Sequence, residues 1–152
     1  MIAGQSALVT GGGTGAGRAI ALALAGAGAR VTICGRRLAP LEAVAAESDR
    51  IVAAHADVTD EAAMRALHET HGPFDIVVAN AGAAESAPAH KVTQAAWQAA
   101  LAVNLTGAFL TVQPAIGQMV KRRAGRIIFI ASTAGLKGYP YVSAYCTSKH
   151  AV

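Results

Sequence analysis

The sequence predicts an α/β fold, an open, doubly wound parallel sheet with helices on both faces. Three observations predict it. Short apolar runs alternate with helix-like stretches along all 152 residues, the pattern of parallel strands joined by right-handed crossovers. The chain is 53% hydrophobic and 14% charged, too apolar for a disordered polymer and suited to strands buried on both faces. A glycine-rich turn, Thr10 to Gly17, separates the first apolar run from the first helical one, where such sheets bind ligands.

The elements follow in order. Ser6–Thr10 reads as the first strand and Ala16–Ala27 as the first helix; Arg30–Gly35 is a strand and Leu38–Glu47 a helix. Ile51–His55 is the third strand, Asp60–His71 a helix, and Ile76–Ala79 the fourth strand. A long helical stretch runs from about Thr93 to Arg122, with Trp97, Leu101 and Leu105 expected as a buried stripe. Pro114 should kink or break it, because proline removes one helix hydrogen bond. Arg126–Ala131 is the fifth strand, and a last helix opens near Ser143. Residues 1–152 are expected to form one domain, incomplete at its C-terminal end because that helix has barely begun at Val152.

Several function classes are disfavoured. The most apolar helical stretch considered, Ala19–Ala29, is too short to span a bilayer and is interrupted by Gly26 and Gly28. Met1–Gln5 carry no basic residue, unlike a secretory leader. Cys34 and Cys146 share no metal-type spacing, and His68 and His71, expected on an exposed helix face, lack further ligands. The expectation is a cytoplasmic protein without metal or membrane partner. Net charge is +4, but the densest basic cluster, Lys121, Arg122, Arg123 and Arg126, falls where a helix should end. It reads as a solvated turn complementing the helix dipole, not as a nucleic-acid site.

The glycine turn carries the first functional signal. A dinucleotide turn needs glycine for the tight bend, for close approach of backbone to pyrophosphate, and for helix–strand packing. Gly11, Gly15 and Gly17 are assigned those tasks in that order, leaving the N–H groups around Thr14, Gly15 and Ala16 to face the phosphates. The end of the second strand chooses between cofactors. An acid there would hold the ribose 2′-hydroxyl of NAD. Here Gly35 is followed by Arg36 and Arg37, and guanidinium groups suit the 2′-phosphate of NADP. NADP is expected in preference to NAD.

Tyr145 and Lys149 are one helical turn apart and share a face if their segment is helical. An ammonium roughly 4–5 Å from a phenol, at an effective dielectric of ~20, stabilises the phenolate by about 3–4 kcal/mol. That brings a tyrosine into the working range for proton donation to a carbonyl. Ser132 follows the apolar run Ile127–Ala131, and a hydroxyl at a strand end can grip the oxygen being reduced.

Taken together, Thr10-Gly-Gly-Gly-Thr-Gly-Ala-Gly17, Asp57-Val58, Asn80-Ala81-Gly82, Asn104, Ser132 and Tyr145-Cys-Thr-Ser-Lys149 resemble, in order, the motifs of the short-chain dehydrogenase/reductase family. The resemblance runs from Ser6 to the last residue. It implies a Rossmann fold in which Asp57 and Val58 contact adenine and Asn80, Ala81 and Gly82 lie beside the cofactor. Tyr145 would be the general acid, Lys149 would assist it and bind the nicotinamide ribose, Ser132 would polarise the carbonyl, and Asn104 would position water toward Lys149. The implied reaction interconverts a small-molecule carbonyl and a secondary alcohol, with 3-oxoacyl thioesters among the candidates. Residues 83–90 and Leu136–Tyr141 are expected to border the substrate. A homodimer or homotetramer is implied for the whole protein. Family chains usually run on past this point, so the alternative is an inactive, truncated NADP-binding or scaffold protein.

Overall fold

In the computed structural model, which describes residues 2–152, five parallel strands form one sheet. They are β1 (Ser6–Thr10), β2 (Arg30–Gly35), β3 (Ile51–His55), β4 (Ile76–Ala79) and β5 (Arg126–Phe129), in the spatial order β3-β2-β1-β4-β5. The chain steps outward from β1 to β3, then returns to lay β4 on the other side of β1. That reversal opens a crevice at the carboxyl ends of β1 and β4. The register keeps those ends level, with Val9 opposite both Ile33 and Val78.

Alternation along β1 builds a core on each face. Ala7 and Val9 join Ile33, Val31 and Val78 beneath α1 (Gly15–Gly26) and α2 (Leu38–Ala45). Leu8 and Val77 point the other way, into Met64 and Leu67 of α3 (Glu61–His71) and Val112, Ala115 and Met119 of α5 (Gly107–Arg122). The buried positions of α1 are Gly17, Ala21 and Ala25, four residues apart, so a stripe of small side chains lets this helix sit close to the sheet. Asp60 caps α3 by accepting a hydrogen bond from the Ala63 N–H at 3.0 Å. Thr93 does the same for Ala96 at the start of α4 (Gln94–Leu101), at 3.1 Å.

The region expected as one long helix is continuous from Gln94 to Arg122, but its irregularity is not at proline. α5 runs through Pro114, held by six buried residues. The winding widens instead at a π turn, Ala102–Thr106, which carries Asn104 inward. The expected buried stripe of Trp97, Leu101 and Leu105 is only half-buried, and α4 buries none of its residues, because it packs only on that π turn and on α6 (Ser143–Ala151). β5 stops at Phe129, short of Ala131. It is an edge strand paired with β4 alone, exposing Ile127, Ile128 and Phe129. The helical run Gln94–Arg122, 29 residues, is by length and composition apolar enough to cross a bilayer, a stretch the sequence reading passed over. Here α5 turns Ala108, Val112, Ala115 and Met119 into the core shared with β4 and α3 and leaves Phe109, Ile116 and Val120 exposed.

Candidate active site

The carboxyl ends of β1 and β4 are stitched by polar contacts. The buried Thr10 hydroxyl accepts the N–H groups of Asn80 at 3.1 Å and Ala81 at 3.0 Å. The Asn80 amide donates back to the Thr10 carbonyl at 2.8 Å. Asn80 thus holds the strand ends together, and Ala81 and Gly82 emerge at the crevice mouth. Thr10 was not among the expected site residues; its place as the last residue of an apolar run was the available signal.

A cleft of about 420 Å³ opens there, and its walls include Gly11, Thr14, Arg36, Arg37, Ala81 and Gly82, with Asp57 and Val58 beside them. Gly11 bends the chain at φ +66°, where side chains are strained. At Gly17 a Cβ would lie 2.2 Å from the Gly11 carbonyl oxygen, so only glycine lets α1 begin against β1. Gly15 has φ +53° and nothing within 4 Å of the place a Cβ would occupy, leaving open space at the helix start. Thr14, Gly15 and Ala16 are all exposed. Asp57 accepts the Thr59 N–H at 2.9 Å. That bond, the Thr59 hydroxyl and the charges of Arg36 and His55 hold its carboxyl below the usual range.

The second group of residues converges on Gly82. A Cβ there would stand 3.1 Å from Asn104 Oδ1 and 3.8 Å from Lys149 Nζ. Lys149 is buried and donates from Nζ to the Ile130 carbonyl at 2.7 Å. Burial pushes its ammonium below the ordinary lysine range. The same Nζ lies 5.9 Å from the centre of the Tyr145 ring. Ser132 begins a short helical turn, Thr133–Gly135, and its hydroxyl accepts the Ala134 N–H at 3.1 Å. A Cβ at Gly135 would be 2.5 Å from the Lys149 carbonyl oxygen, so glycine lets this turn rest directly on α6. Asn104 is 1% exposed and its amide is committed. Oδ1 accepts the Ala83 N–H at 2.8 Å, and Nδ2 donates to the Ala83 carbonyl at 2.8 Å and to Ser148 Oγ at 3.0 Å.

Beyond Tyr145 lies a smaller crevice of about 110 Å³, bordered by Glu85, Ala87, Lys91, Ala96 and Tyr141. Segment 83–90 and the Leu136–Tyr141 loop both reach it, and Tyr141 holds a left-handed φ of +65°. His68 is not on an exposed face. Its Nε2 bonds the Thr111 carbonyl at 2.9 Å and its ring stands edge-on to Phe74, so it fastens α3 to α5. Among the described residues no group of three or more His, Cys, Asp or Glu side chains could hold a metal.

A doubly wound sheet with a glycine turn at its switch point defines a Rossmann-type protein. The chain belongs to the short chain dehydrogenase family, whose profile matches residues 5–152, and this is a family of oxidoreductases that bind a nicotinamide cofactor and act on small molecules. The chain is 38% identical to the 2-keto-3-deoxy-L-fuconate dehydrogenase of Xanthomonas campestris, over 99% of its own length and 51% of that protein's. It is 40% identical to a Xanthobacter autotrophicus protein named inactive 2-(S)-hydroxypropyl-CoM dehydrogenase 2, over 82% of its length and 56% of that relative. A crystal structure named "putative betaketoacyl-ACP reductase" superposes with a TM-score of 0.95 at 34% identity, covering 99% of this chain and 64% of that one. The chain thus spans about half to two thirds of the length of these relatives.

Proposed function

We propose that this chain is the cofactor-binding and proton-donating part of an NADP(H)-dependent oxidoreductase that interconverts a carbonyl and a secondary alcohol. The observation that carries the reading is the convergence on Gly82, which lines the nucleotide cleft while Asn104 Oδ1 and Lys149 Nζ stand beside it. The cleft suits a phosphorylated dinucleotide. Gly11, Gly15 and Gly17 shape the pyrophosphate seat, and Arg36 and Arg37 stand at its wall with no acid at the end of β2. Asp57 and Val58 border the adenine end. When bound, the cofactor supplies the hydride.

The chain's own residues supply the rest. Tyr145 hands a proton to the carbonyl oxygen in reduction and takes it back in oxidation. Lys149, buried and adjoining the Tyr145 ring, favours the phenolate left behind. Ser132 donates its hydroxyl hydrogen to the same oxygen while its Oγ accepts the Ala134 N–H. The crevice bordered by Glu85, Lys91 and Tyr141 receives the substrate. The outer face of α5, where Phe109, Ile116 and Val120 are 57%, 41% and 69% exposed, supports pairing of subunits along that helix.

The test is a fluorescence titration with NADPH and NADH, followed by a panel of carbonyl compounds on this chain and on one extended past Val152. NADPH should bind at least about tenfold more tightly, since hydrogen bonds to charged groups contribute about 1.5–3 kcal/mol. Replacing Arg36 and Arg37 together by Ala should abolish that preference and leave NADH binding nearly unchanged. Equal affinity of the unaltered chain for both cofactors would remove the NADP assignment. Turnover that survives Tyr145→Phe unchanged would remove the proton-donor assignment.

A further inference from the structure

We infer that Ser148 is a positioning residue, clamping α6 to the π turn so that Tyr145 and Lys149 face the nicotinamide end of the cleft; this rests on the proposed roles of those two residues. Ser148 is fully buried, yet it has no place in the proton-donating set. Its Oγ donates to the Tyr145 carbonyl at 2.7 Å and accepts from Asn104 Nδ2 at 3.0 Å. The first bond is a local one that any helical serine can make. The second is not, since it joins residues far apart in sequence, both shut off from water. The Ala83 N–H at Oδ1 and the Ala83 carbonyl at Nδ2 settle the orientation of the Asn104 amide. The amide hydrogen left over can only be aimed at Ser148. One chain of contacts therefore runs from the loop after β4, through Asn104, through Ser148, to the backbone of Tyr145.

Besides this chain, α6 is met by the Thr133–Gly135 turn, which rests on its backbone at Lys149 and leaves the π-turn side to other contacts. α4 and α6 bury little apolar area between them, since α4 has no buried residue and α6 buries only Ala144 and Cys146 among its hydrophobic ones. The other polar ties of α6 are the Tyr139 N–H to Cys146 Sγ at 3.4 Å and Lys149 to the Ile130 carbonyl, and Lys149 must leave or share its contact to reach a ribose. Removing the Ser148 hydroxyl would leave a buried amide hydrogen unpaired and free α6 to rotate while the sheet stays intact.

The experiment uses the full chain and two probes: 2′,5′-ADP, which reaches only the adenine end, and NADPH, which reaches both ends. For Ser148→Ala, NADPH affinity should fall about five- to tenfold with loss of nicotinamide fluorescence enhancement, while 2′,5′-ADP affinity stays within about twofold. Ser148→Thr, which keeps the hydroxyl, should restore NADPH binding. Should its extra methyl lower the melting temperature, Ser148→Cys, whose thiol is only a weak donor and acceptor, should give an NADPH affinity between those of Ser148→Ala and the unaltered chain. A parallel loss of both ligands would mean general destabilisation and overturn the clamp, as would unchanged NADPH binding. A wild-type chain that binds NADPH no better than 2′,5′-ADP would overturn it too. A wild-type chain that binds neither ligand refutes the proposed function itself, so the two failures are distinguishable.

Discussion

Strands β1 and β2 bury every residue except Ser6 at one end of β1 and Arg30 and Gly35 at the two ends of β2, whereas β5 leaves all four of its residues exposed. The contrast extends to the helices. α1 and α2 meet the sheet through a shared apolar core, while α4 and α6 meet each other and the π turn with little apolar burial and are tied by Asn104, Ser148 and Lys149. The side that would seat the adenine end and phosphates is thus held by burial, which is non-directional and scales with area. Within residues 2–152, the side that would perform proton transfer is held mainly by directional hydrogen bonds, whose geometry matters more than their sum. A nucleotide seat needs a stiff backbone. An acid–base site needs side chains aimed to within a fraction of an ångström.

The sharpest way to break this comparison is to empty each side in turn. Leu8→Ala, at a position with no exposure, should lower unfolding stability by about 2–5 kcal/mol. Ile128→Ala, at a position 42% exposed, should cost about 1 kcal/mol or less, read from urea unfolding of both. Similar losses would show that β5 is packed as tightly as β1. Next in size is Gly17→Ala. A Cβ pressed against the Gly11 carbonyl should cost about 1–3 kcal/mol of overpacking and weaken NADPH binding severalfold, whereas Gly26→Ala, with nothing within 4 Å, should do neither.

Two pH effects are smaller and sharpen the contrast in burial. Burial pushes the Cys34 thiol up to about 12, from an ordinary 9.0. The unfolded thiol ionises first, so stability conferred by this group is intact below pH 9 and falls as pH rises above it, by about 1.4 kcal/mol at pH 10. Cys34→Ala should flatten that alkaline decline relative to the unaltered chain, and equal slopes would mean the thiol is solvated. His68 runs the other way. Burial lowers its affinity for a proton, partly offset by the Thr111 carbonyl. The unfolded state therefore binds more protons just below pH 6.5, so stability falls as pH drops through that region. His68→Gln should lessen the fall, measured by thermal melts between pH 7 and 5.

The five strands, the four crossovers between them, and the glycine turn could be read from residue order alone. Period and punctuation carry those, because apolar runs such as Ser6–Thr10 and Ile76–Ala79 suit only a strand covered on both sides. The motif residues at strand ends were likewise legible, since Asn80 and Ser132 each follow an apolar run directly and Gly82 stands two residues after Asn80. Less was legible in the helical stretch 94–122. Proline at 114 pointed to the wrong place for a break, and Trp97, Leu101 and Leu105 to a burial that is only partial. Periodicity names a face but not the neighbour that covers it. His68 was misjudged for the same reason, because its partners Thr111 and Phe74 lie elsewhere in the sequence.

The order of residues by itself determined the alternation of strand and helix, the glycine-built turn and the arginines after β2, since each depends on near neighbours and backbone sterics. Only the tertiary structure decided that Asn104 spends its amide on Ala83 and Ser148, that Lys149 reaches the Ile130 carbonyl, and that Gly82 is where the two groups of residues meet. Hydrogen bonds between segments depend on distances set by packing, and no local pattern encodes those distances.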